Sequence, residues 1–169
     1  MKLTAYLFLL ILSVPFGTAA QGLEIHLDSP SVVVRVPDVE PIEFGQHPNA
    51  SAQPASRLMG TKGTLTASML VPVVPLEISP MQCASWLAGG VLSRFTPPLD
   101  TVRFVKAGEN AYVLVFSFKV EGLEQLKAFA LSGTGKGHCI EVHMSRTAPS
   151  DEQRKAWLSG FTNVVVEAK

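Results

Sequence analysis

Cysteine is scarce in this chain, with two in 169 residues, and charge is sparse and balanced: 14 basic residues against 14 acidic ones, a formal net charge of zero. Without a basic excess there is no bulk electrostatic hold on nucleic acid and no polybasic stripe for an anionic lipid surface. Long apolar runs are few as well. Leu3 to Phe16, broken only by Thr4, Ser13 and Pro15, is shorter than the ~20 residues a membrane-spanning helix needs. Nucleophile and zinc-hydrolase motifs are missing: there is no Gly-x-Ser-x-Gly, no Ser-x-x-Lys and no His-Glu-x-x-His. No cofactor is implied.

What is present at the start is ordered. Met1-Lys2 supplies a positive charge, Leu3 to Phe16 an apolar core, and Thr18-Ala19-Ala20 small residues where a leader peptidase cuts. Residues 1–20 are therefore expected to be a signal peptide. Residues 21–169 are expected to form one periplasmic or secreted domain with no integral membrane segment. In an oxidising compartment Cys83 and Cys139 are expected to join in a disulfide rather than stay two buried thiols.

The rest of the chain alternates strand and helix signals. Leu23, Ile25 and Leu27 alternate with Glu24, His26 and Asp28, and Ser31 to Val36 is Val-rich, so a hairpin is expected. Pro37, Pro41, Pro48 and Pro54 make 37–63 an irregular surface excursion. Thr64 to Val74 reads as a strand. Ser79, Pro80 and Gln82 form a helix start, and Met81, Ala84, Ala88, Val91 and Phe95 recur at helical spacing as its core side. Gly89-Gly90 either weakens this helix or lets it approach the sheet closely. Strands are expected at 101–106, at 111–120, where both faces are apolar, and at 138–145. Residues 122–131 fit either a short helix or a return strand. Ser150 and Gln153 start a last helix with Trp157, Leu158 and Phe161 on its apolar side, and 163–168 forms a last strand. Ser79-x-x-Gln82-x-x-x-Trp86-Leu87-x-Gly89 recurs 71 residues later as Ser150-x-x-Gln153-x-x-x-Trp157-Leu158-x-Gly160. Two helices meeting the same capping demands explain this more simply than a duplication. The fold class is α+β: a mainly antiparallel sheet with helices packed on its faces.

Few residues suggest chemistry. Cys139, Glu141 and His143 share one strand face and are all metal-ligand types. A disulfide at Cys139 would withdraw the sulfur from any such site. Ser132-Gly133-Thr134-Gly135-Lys136-Gly137 is glycine-rich, but Lys136 leads into a strand rather than a helix, so it reads as a hairpin and not as a phosphate loop. Trp86 and Trp157 are expected in the core, and Arg146 and Arg154 in solvent. Phe44, His47 and Arg57 in the excursion, with Gly135, Lys136 and His138 at the glycine turn, are the candidate partner-contact residues.

Tyr112 to Phe118, the return through His138 to Ser145, the helix of Trp157 and Phe161, and the strand of Val164 to Val166 resemble the C-terminal half of the Mog1/PsbP-like fold. The resemblance covers about the last 70 residues by order of elements. It implies an antiparallel sheet with helices on both sides and a role in binding other proteins. It assigns no site residues. The function expected is that of an exported, non-catalytic protein-binding module of a bacterial periplasm, of the kind that inhibits an enzyme or neutralises a toxin. The alternatives are a metal-binding protein or enzyme centred on Cys139, Glu141 and His143, and a carrier of a small apolar ligand held between helix and sheet.

Overall fold

A computed structural model describes residues 22–168; the expected signal peptide lies outside the described residues. Ten strands and two helices follow one another as β1 (Leu23–Asp28), β2 (Ser31–Val36), β3 (Gly45–Gln46), β4 (Ser56–Lys62), β5 (Leu65–Leu70), α1 (Pro80–Phe95), β6 (Arg103–Ala107), β7 (Ala111–Val120), β8 (Leu123–Gly133), β9 (Cys139–Thr147), α2 (Asp151–Thr162) and β10 (Val165–Ala168). Every strand pairing is antiparallel. The seven-stranded sheet runs β3-β4-β5-β9-β8-β7-β6, and the three-stranded one β1-β2-β10. The fold is α+β.

Strand alternation sends side chains to two separate cores. On one face of the large sheet, Ala67, Met69, Val113, Ile140, Val142 and Met144 pack against Ile25, Val34 and Val36 of the small sheet and against Trp157 and Phe161 of α2. On the other, Leu114, Phe116, Phe129, Leu131 and Cys139 receive Cys83, Ala84, Leu87, Ala88 and Val91 of α1. The large sheet is thus covered on both sides, which is why β7 is apolar on both faces.

Of the two readings open for residues 122–131 the return strand holds: residues 123–133 form an eleven-residue strand, because pairing with both β7 and β9 along its length outweighs a local helical spacing. Three expectations need correction. The excursion 37–63 is not wholly irregular: it contributes β3 and all of β4 to the sheet. Met81 and Leu158 face solvent, as does Trp86, whereas Trp157 is buried. Arg146 is buried, paired with Glu40 and lying 5.5 Å from the Trp157 ring. There it clamps the segment after β2 over the core.

Candidate functional site

Helix α1 begins as its sequence requires. Gln82 N–H donates to Ser79 Oγ at 3.3 Å and Ser79 N–H to Gln82 Oε1 at 2.9 Å, satisfying two otherwise orphaned donors. One turn on, Cys83 is bonded to Cys139 at the start of β9, with 5.4 Å between Cα atoms. The helix is therefore tied covalently to the middle of the sheet, and its far end closes at Thr96 in a left-handed conformation, φ 42°.

Along the flank of α1 that faces β5 and β9 lies an open groove of about 560 Å³. Leu70 and Pro72 form its sheet side, Trp86, Gly89 and Gly90 its helix side, and Arg94 with Glu141 its polar part. Both glycines are exposed. A Cβ at either would meet nothing within 4 Å. They therefore do not serve close packing on the sheet, although each costs a helix about 1 kcal/mol relative to alanine. What they do is leave the groove unfilled. Trp86 stands beside it 58% exposed, and Val73 and Leu76 on the approach to α1 are 75% and 72% exposed.

The polar part is set by the register of β9. Glu141 lies between Leu70 of β5 and Leu131 of β8, is buried, and accepts one hydrogen bond from Arg94 Nη2 at 3.2 Å. Burial raises its carboxyl above the usual range, and the Arg94 charge partly offsets this. Two residues on, His143 stacks on Phe129 with 4.5 Å between centroids. Its Nε2 is buried without a partner. Burial first, then Lys127 and Arg94, push its pKa down to about 3, so the imidazole is neutral. Lys127 donates to Ser145 Oγ at 3.0 Å and its ammonium lies 4.8 Å from the Phe95 ring centroid. Burial lowers its pKa. A lysine on a serine hydroxyl is one form of nucleophile and base. Ser145, however, sits mid-strand between β5 and β8, where backbone N–H groups are held in ladders rather than offered to an oxyanion.

The three candidate metal ligands do share a strand face, but the structure gives each another occupation: Cys139 the disulfide, Glu141 the Arg94 pair and His143 the Phe129 stack. Among the described residues no three His, Cys, Asp or Glu side chains are grouped to hold a metal ion.

The expected contact residues divide. Phe44 packs on the first core. Arg57 lies in β4 with its Nε buried and unpartnered. His47 Nδ1 accepts from Asn49 N–H at 3.1 Å in an exposed turn. In the glycine turn, Gly135 has φ +66°, Lys136 N–H donates to Thr134 Oγ1, and His138 Nδ1 lies 3.1 Å from the Lys136 carbonyl. Val73 bridges to His138, and Val71 N–H donates to the Ala55 carbonyl. Both loops therefore lie at the end of the large sheet where β5 finishes and β9 begins, beside the groove. Sequence reasoning named these loops, and a space between helix and sheet as an alternative without its lining; the visible sign of the groove's place was a glycine pair in a helix.

No family model matches the chain, and no curated protein matches it in sequence. Solved structures similar to it include the following two. LpqN of Mycobacterium tuberculosis, described as involved in cell envelope biogenesis, shares 17% identity over 86% of this chain and 90% of that one, with a TM-score of 0.48. A protein from Bacteroides thetaiotaomicron VPI-5482 shares 12% identity over 88% of this chain, with a TM-score of 0.50, and this chain spans about half, 49%, of its length. At that identity the likeness to the Bacteroides protein shows a common fold and nothing of activity.

Proposed function

We propose that the chain is an exported, non-catalytic protein-binding module of the periplasmic or secreted fraction, of the inhibitor or immunity type, whose contact surface centres on the groove beside α1. Export is supported by the order of charge, apolar core and small residues over residues 1–20, and by the Cys83–Cys139 disulfide, since such bonds persist in oxidising compartments. An antiparallel sheet with helices on both faces supports the Mog1/PsbP-like reading as well.

The observation that carries the binding role is the empty flank at Gly89 and Gly90 beside an exposed tryptophan. Tryptophan is enriched among residues that dominate binding energy, and a large contiguous apolar surface is unusual on a monomer without a partner. The small-ligand alternative has the groove's volume in its favour, within the ~300–1,000 Å³ of such sites. The groove is only partly enclosed, however, whereas sites of that kind enclose most of their ligand. A segment of another protein brings its own cover.

Site-specific photo-crosslinking in the native compartment tests this. A crosslinker at position 86 is expected to give a protein adduct, and one at Glu152 on the far helix is not. Adducts to lipid alone, or equal adducts at both positions, overturn the reading.

A further inference from the structure

We propose that the groove takes the apolar C-terminal segment of a partner protein and that Arg94 holds the segment's terminal carboxylate. This rests on the groove being the contact surface.

Arg94 is the one cation among the residues that line the groove. A guanidinium carries five N–H donors in a planar fork that matches a carboxylate. Among the described residues Arg94 makes one side-chain hydrogen bond, to Glu141, so its remaining donors are free to point outward. Its side chain is 53% exposed, while that of Glu141 behind it is 4% exposed. An incoming cation would meet Arg94 before it reached Glu141; an incoming anion meets the free side of the fork. Glu141 acts as a positioning residue: anchored between Leu70 and Leu131, it pins the guanidinium at the groove instead of letting it wander in solvent.

The remaining wall is uncharged, and the bare backbone at Gly89 and Gly90 gives a chain room to lie along the helix. The apolar surface continues past the groove through Trp86, and Val73 and Leu76 stand exposed on the approach to the same helix. Separate apolar groups spaced along one helix suit several successive side chains. Capture of a terminal carboxylate is a recurrent way of reading a chain end.

The test uses the mature chain and three probes. The first is a fluorescein-labelled pool of hexapeptides with Leu, Val, Ile or Phe at the last three positions and a free carboxylate. The second is the same pool as C-terminal amides, and the third is sodium oleate. Fluorescence polarisation is expected to show the acid pool binding roughly tenfold or more tighter than the amide pool, the scale of one charged hydrogen bond. Arg94→Gln is expected to abolish that gap and leave amide binding unchanged, and Arg94→Lys to restore part of it. Gly90→Leu is expected to weaken both pools. Equal binding of acid and amide overturns the carboxylate anchor while the groove reading stands. Failure of both pools to bind overturns the anchor and the groove together. Tight oleate binding without peptide binding overturns the assignment to a protein C-terminus.

Discussion

The imidazole of His143 lies flat on the ring of Phe129, with 4.5 Å between centroids and 6° between planes. The stack holds a base in its neutral form against Phe129 of the second core. The unfolded chain takes up a proton at this residue below its ordinary value of 6.5, and the folded chain does not until about 3. Stability from this group is therefore complete above 6.5 and is lost as pH falls toward 3.

His143→Phe keeps the stack and removes the titration. From urea denaturation at pH 7 and pH 4.5, the variant is expected to lose about 2 kcal/mol less than the wild type between the two conditions. An equal loss would mean that the ring is not held neutral.

Glu141 has the opposite sign. Burial raises its carboxyl in the folded state, so its contribution is greatest when protonated and is lost as pH rises through the raised value. Glu141→Gln is expected to flatten that part of the stability profile, measured by denaturant midpoints from pH 5 to 8. A steeper fall in the variant would show that the Arg94 pair outweighs burial.

The glycines of the two helices are expected to respond in opposite directions. Gly89→Ala and Gly90→Ala meet open space, so each is expected to raise stability by up to about 1 kcal/mol. A Cβ at Gly160 would collide with the Pro37 carbonyl, a contact between backbones that cannot yield cheaply. Gly160→Ala is expected to lower the melting temperature clearly, by the mechanism of overpacking, at about 1–3 kcal/mol. Thermal denaturation of the three variants decides it.

Joining residues 56 apart, the disulfide is worth roughly 4 kcal/mol in the chain-entropy account. The double variant Cys83→Ser, Cys139→Ser is expected to lose about 2–4 kcal/mol. Hydrogen exchange should locate the loss first in α1. Unreduced, denatured wild type should titrate no thiols.

Much of this architecture is legible before any coordinates. Both capping boxes and the two-faced apolar strand around Leu114 and Val115 follow from spacing and residue type alone, and the Cys83–Cys139 bond from an even cysteine pair behind an expected export signal. What escapes is whatever depends on the second partner. Leu123, Leu126 and Ala130 suit a helix until strands on both sides claim their backbone. Ser56 to Lys62 lacks alternation, yet Gly60 lets the backbone of Glu43 pass close by and the segment becomes a sheet strand. Trp86 and Trp157 hold equivalent places in matching motifs. One lies in water and the other in the core, because only α2 has the small sheet beside it to close over its tryptophan. For the same reason the groove's lining could not be read: a glycine pair announces missing side chains but not which surface they leave bare.

The hairpin Leu23–Val36 waits for its third strand, Val165–Ala168, which pairs with β2 from the opposite end of the domain. A chain made from its N-terminus completes the first two strands of the small sheet some 130 residues before the last. Ile25, Val34 and Val36 have no finished core to enter until then. Newly made protein thus carries a sticky, unsatisfied edge throughout its synthesis, which is the kind of surface that holdase chaperones cover and that proteases clear when assembly stalls.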